Sequence, residues 1–214
     1  IKGDTLIHEG EPNDAHASLE WLSVGQSTTY PGKRIRILVG FDLSDIPPGS
    51  KINSAELKFY FQRAAPGFSS IRIRAHRVLK SWNLAATWYR RLVLGTAFSY
   101  NWDNPGGDYD TSVIDDVFIS GVPAPNEEFS FNIKSYVQDV VDKKIPNYGI
   151  LLEADDCNKW IAFNSWEATG PGPHLSVDYT PATIEAEATP EEQTVVQGGT
   201  ATFQVVVKGT YIGE

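Results

Sequence analysis

The sequence predicts an all-β fold, and the clearest evidence is the stretch from Arg34 to Phe61. Apolar residues alternate there with charged or polar ones in two separate series. The apolar members are Ile35, Ile37, Val39, Leu57, Phe59 and Phe61. Because successive side chains of a strand point to opposite faces, this period predicts two half-buried strands. The Pro47-Pro48-Gly49 segment between them interrupts backbone pairing and permits a turn.

Composition supports many short strands and excludes several classes of partner. The 214 residues include 18 glycines and 13 prolines, which provide many turn positions. The single cysteine, Cys157, excludes an intrachain disulfide. A formal charge of −9 repels nucleic acid and anionic membranes, so we expect neither as a partner. No apolar run approaches the roughly 18 residues of a membrane-spanning helix, so we expect no membrane insertion.

One short helix interrupts the strands. Ile133, Tyr136, Val137, Val140 and Val141 follow the i, i+3, i+4, i+7, i+8 spacing of one helix face. This pattern predicts a helix over residues 133–143, which Pro146 terminates.

Several motifs occur in the order found in a known family. They are FDLSDIP (41–47), KINSAELK (51–58), the helix followed by NYGILL (147–152), and PHLSVDY (173–179). Over residues 4–180 the chain resembles the DNRLRE domain family, which is also classed as a carbohydrate-binding module. The resemblance implies a jelly-roll β-sandwich from a secreted or cell-surface protein that binds or contacts polysaccharide. The segment from Trp82 to Trp88 is similar to the family's paired-tryptophan segment but lacks its acidic residue.

The sequence divides into a sandwich domain at 1–181 and a segment at 182–214. Residues Thr183–Pro190 have the composition of a linker, and the part that follows resembles the start of an immunoglobulin-like domain. Two interpretations stay open: a fragment of a downstream domain, or a β-strand donated to a neighbouring copy. The self-assembly residues in the second case are Val195, Val196, Phe203, Val205 and Val207.

The loop from Asn101 to Asp110 has the composition of a binding site. Asp103, Asp108 and Asp110 offer the hard oxygen ligands that calcium prefers, so we predict a structural calcium ion there. Their spacing does not match an EF-hand, and a polar loop stabilised by Asx-turns is the alternative.

Aromatic side chains are the candidate carbohydrate-binding residues, since a ring combines a large apolar face with a polar atom. They are Trp88, Tyr89, Trp102, Tyr109, Trp160 and Trp166. Alternation in the strand from Ile71 also puts Arg72 and Arg74 on one face, which suits an anionic sugar. The alternative for these arginines is ion pairing with acidic residues on neighbouring strands.

No catalytic motif is present: the sequence has no nucleophile elbow, no His-Glu-x-x-His and no phosphate-binding loop. We therefore expect a non-catalytic, extracellular cell-surface module that binds polysaccharide. The alternative is a structural subunit of an extracellular filament, assembled when each copy donates its C-terminal strand to the next.

Overall fold

The computed structural model describes residues 2–95, 97–154, 157–182, 184–189, 194–200, 202 and 204–209. Within them the protein is nearly all β, with one short helix. The strands are β1 (Gly3–His8), β2 (Trp21–Gln26), β3 (Arg34–Gly40), β4 (Lys51–Ala64), β5 (Ser70–Arg77), β6 (Arg90–Leu94), β7 (Phe98–Asn101), β8 (Asp115–Ser120), β9 (Glu128–Asn132), β10 (Ile150–Glu153), β11 (Trp160–Asn164), β12 (His174–Thr180), β13 (Ile184–Thr189) and β14 (Gln204–Gly209). The helix α1 spans Lys134–Val141. No helix in the described ranges is long and apolar enough to cross a membrane.

Ten of the strands form one antiparallel sheet that curls into a near-barrel. One layer runs β1-β3-β10-β5-β8, while β4 pairs with β9, β11 and β12 in the opposite layer. Strand β2 joins the layers, because it pairs with β11 along its length and with β3 at Gly25 and Gln26. The predicted all-β sandwich is confirmed.

The main core lies between the two layers and follows the alternation seen in the sequence. Ile37 and Val39 of β3 face Leu57, Phe59 and Phe61 of β4 across it, and all five are buried. The Phe59 ring lies 6.1 Å from that of Phe131 and 5.5 Å from that of Phe163, centroid to centroid. These separations are in the range of favourable aromatic pairs, so the rings pack β4 against its neighbours β9 and β11 on the core side of one layer.

The predicted helix is confirmed, and it closes one part of the core. Tyr136, Val137 and Val141 of α1 are buried against it. The Gln138 side chain accepts a hydrogen bond from the Ile52 backbone N–H at 2.8 Å, which ties α1 to β4. Lys143, with a φ of 58°, ends the helix.

The structure differs from the sequence prediction in two elements. The hairpin of β6 and β7 was not predicted, and it forms a two-stranded sheet of its own. Residues 184–189, interpreted as part of a linker, instead form β13 and pair with β14. Alternating alanine and glutamate suits a strand as well as a linker, and the partner that decides between them lies some twenty residues further on.

Candidate functional site

Trp88 and Trp102 form a second core on the outer face of the β1-β3-β10 layer. That face carries three buried apolar side chains, Ile7, Leu38 and Leu151, which need a cover of their own. The two indoles provide it, with only 2% and 4% of their surfaces exposed. The Trp102 Nε1–H donates to the Thr87 carbonyl at 3.0 Å, so its polar atom is satisfied as well.

Neither ring therefore has a face that a sugar can reach, and the carbohydrate-binding prediction is wrong for Trp88 and Trp102. Tyr109 packs partly buried against the same cluster, with the Arg36 guanidinium 5.1 Å from its ring centroid. Sequence alternation does not predict this second core. It puts Leu38 on the same face of β3 as Arg34 and Arg36, which suggests a solvent-exposed face, whereas both faces of β3 are covered.

The acidic loop, residues 101–110, is held by its own carboxylates. Asp108 is buried and accepts hydrogen bonds from the backbone N–H groups of Asp103 and Asn104 at 2.8 and 2.9 Å. Asp110 accepts from Ser112 N–H and from Arg77, and the Ser112 bond is the first cause of its lowered pKa. This is the Asx-turn arrangement considered as the alternative.

The three carboxylates predicted to bind calcium have different partners and do not converge on one position. Asp103 pairs with Lys80, whereas Asp108 and Asp110 bind the groups named above. In the part of the chain that the structure describes, no three His, Cys, Asp or Glu side chains are grouped so as to hold a metal. Calcium binding at this loop stays a prediction for titration to test.

The basic face of β5 is neutralised by neighbouring carboxylates. Arg72 pairs with Asp116 of β8, and Arg74 lies 3.4 Å from Glu153 of β10. The Arg72 guanidinium also lies 5.3 Å from the exposed ring of Phe118. Because each charge has a partner, this face offers an anionic sugar less attraction than the sequence suggests.

The outward face of β2, β11 and β4 brings together two tryptophans and an arginine. Leu22 and Ile161 face the core, so Trp21 and Trp160 point outward by alternation. The Arg63 guanidinium lies 4.2 Å from the Trp21 ring centroid and 5.8 Å from that of Trp160. Both indoles are half-buried, and Arg63 is exposed. We call Trp21, Arg63 and Trp160 the tryptophan face.

Small side chains lie between the members of this face. Ala162 of β11 pairs with both Ser23 of β2 and Arg63 of β4, and it is on the outward side of its strand. Ala162 and Ser23 are nevertheless buried. The two tryptophans and the arginine therefore extend further from the sheet than the small side chains between them. The Trp160 indole is held in place by a hydrogen bond that its Nε1–H donates to Thr28 Oγ1 at 3.2 Å.

The guanidinium of Arg63 differs from those of β5 in its partners. No carboxylate in the described part of the chain lies within 4.0 Å of it, and its contacts are the two indole rings. Stacking on aromatic rings leaves the edge of a guanidinium and its N–H donors available to another molecule.

Of the tryptophan face, Trp160 was predicted from the sequence, whereas Trp21 and Arg63 were not. Strand alternation could have predicted the outward position of Trp21, because it precedes the core-facing Leu22 and Val24 by an odd number of positions. Arg63 follows an irregularity in the β4–β11 register, which moves it off the simple alternation.

The remaining predicted residues are dispersed. Trp166 is 62% exposed in the turn after β11, and Tyr89 is exposed just before β6. Val195 and Val196 are exposed between β13 and β14, and Phe203 lies outside the described residues. Val205 and Val207 belong to β14, whose backbone pairs with β13.

The sequence matches none of the protein-family models and none of the curated proteins with which it was compared.

Proposed function

We propose that this chain is a non-catalytic, extracellular surface module that binds polysaccharide through the tryptophan face. The observation that carries the proposal is the pair of outward indoles, Trp21 and Trp160, on either side of the exposed Arg63 guanidinium. An indole packs its apolar surface against the C–H groups of a sugar ring, and a guanidinium donates hydrogen bonds to hydroxyls or carboxylates. The resemblance to surface-protein domains supports the extracellular location.

The strands support the rigidity that such a site needs. Trp21 and Trp160 begin neighbouring strands whose opposite faces are anchored in the core by Leu22 and Ile161. Binding side chains on strands are held more precisely than those on loops, so a polysaccharide finds the surface already formed.

Calorimetric titration with a panel of neutral and acidic polysaccharides tests the proposal. Trp21→Ala and Trp160→Ala should each weaken binding about tenfold, the effect of losing roughly 1.4 kcal/mol of stacking. Phe118→Ala, at an exposed ring in the other layer, is the matched control and should bind like the wild type. Wild-type affinity in both tryptophan variants would refute the proposal.

The alternative proposal is a filament subunit that donates β14 to a neighbouring copy. One edge of β14 already pairs with β13 within the chain, so donation uses the other edge or opens the hairpin. Sedimentation of the full chain beside residues 1–182 tests it. Assemblies that survive removal of 183–214 would exclude the C-terminal strand as donor.

A further inference from the structure

The β6–β7 hairpin presents an apolar face that the described part of the molecule leaves exposed. Leu94 pairs with Phe98, and Leu92 pairs with Tyr100, so these four side chains lie on the same side of the hairpin. Phe98 is 69% exposed, and Leu94 and Tyr100 are each about half exposed. Exposed apolar patches of this kind are typical of interaction surfaces.

The segment around this hairpin is basic in an acidic protein. Residues 79–101 contain Lys80, Arg90 and Arg91 and no aspartate or glutamate, whereas the whole chain has a net charge of −9. Lys80 pairs with Asp103, so the positive charge of this segment rests on the two arginines, which form no ion pair within the described part of the chain. The Arg91 guanidinium lies 5.4 Å from the Tyr100 ring centroid, so positive charge borders the apolar face directly. A partner that fits this surface is both acidic and partly apolar.

The C-terminal hairpin has the complementary properties. Residues 182–214 contain five glutamates and one lysine, a net charge of −4. Val195 and Val196, in the connection between β13 and β14, are both exposed, and Val196 is 84% exposed. β13 and β14 pair with each other in a two-stranded sheet, and such a sheet is marginal in water without further packing.

We propose that the β6–β7 hairpin of one copy binds the C-terminal β13–β14 hairpin of a second copy. The two surfaces differ, so the contact is heterologous, and a pair of bound copies leaves one surface of each kind free to bind a further copy. This contact needs no strand exchange. The tryptophan face lies on the opposite layer of the sandwich, so polysaccharide binding and self-association are separate properties that can be tested independently.

Sedimentation velocity of the full chain over a concentration series is the test. Two double variants each remove apolar area that the proposed contact buries, and each should weaken association about tenfold or more. They are Phe98→Ser with Tyr100→Ser and, separately, Val195→Ser with Val196→Ser. Phe118→Ser and Val122→Ser, at exposed positions elsewhere, are the matched controls and should associate like the wild type. Thermal melting checks that every variant is folded.

Mixing the two defective double variants tests whether the β6–β7 hairpin of one copy contacts the C-terminal hairpin of another. Each retains the surface that the other lacks, so the mixture should recover dimers but no larger species. Arg90→Glu leaves the apolar side chains in place and should weaken association at low salt, with little difference at about 1 M salt. A wild-type chain that stays monomeric, or valine variants that associate like the wild type, would overturn the proposal.

Discussion

Asp4 should make the folded protein less stable as the pH rises. Its side chain is 2% exposed, and burial raises its pKa from 3.8 to about 6. One carboxylate oxygen accepts the Trp166 backbone N–H at 3.1 Å, while the other has no hydrogen-bond partner among the described residues. The nearby Glu167 raises the pKa further.

The sign of the effect follows from the direction of the shift. The folded state holds the proton more tightly than the unfolded state, so this stability is complete below about pH 3.8 and is lost as the pH rises through about 6. At 1.36 kcal/mol per pKa unit, the full loss is about 3 kcal/mol. About 2 kcal/mol of it falls between about pH 4.5 and about pH 7.5.

Asp4→Asn removes the charge and keeps an oxygen acceptor for the Trp166 N–H. Urea unfolding of wild type and variant at both pH values gives the difference in free energy of unfolding. The free energy of unfolding of the variant, relative to that of the wild type, should rise by about 2 kcal/mol between about pH 4.5 and about pH 7.5. Asp178→Asn, at an exposed carboxyl of β12, is the matched control. A difference independent of pH, or one that shrinks as the pH rises, would refute this reasoning.

Three further perturbations test the core, the second core and the acidic loop. Tyr136→Phe should lower the free energy of unfolding by about 1–3 kcal/mol, because the hydroxyl accepts from the Gly149 N–H at 3.0 Å in a buried position; an unchanged urea midpoint would contradict this. Gly106→Ala should destabilise by about 2 kcal/mol or more and alter the tryptophan near-ultraviolet signal, since φ is +93° and a Cβ would lie 2.6 Å from Trp88. Wild-type stability in that variant would mean that the loop adjusts freely. If the acidic loop binds calcium as predicted, millimolar calcium should raise the melting temperature, and a chelator that leaves it unchanged would remove the site.

The sequence predicted the sandwich because its main core obeys local periodicity. Ile37, Val39, Phe59 and Phe61 are where alternation puts them, and the apolar stripe of α1 is buried as expected. Side-chain period is a property of each strand alone, so it can be read without knowing which strands pair.

The candidate site was less predictable because burial depends on partners distant in sequence. Trp102 stands in a glycine-rich polar loop, which favours exposure, yet that loop lies over Leu38 and Leu151. The charges of β5 likewise look free until β8 and β10 bring Asp116 and Glu153 beside them. Which loop covers which face is decided by the fold as a whole.

The double covering of β3 has a consequence for local opening. Its edges pair with β1 and β10, one face packs into the main core, and the other face packs under Trp88 and Trp102. No small fluctuation exposes such a backbone to water, so its amide hydrogens exchange only when much of the domain unfolds. The slowest exchange rates in β3 therefore report the global stability of the sandwich, whereas rates in the β6–β7 hairpin report only its own detachment.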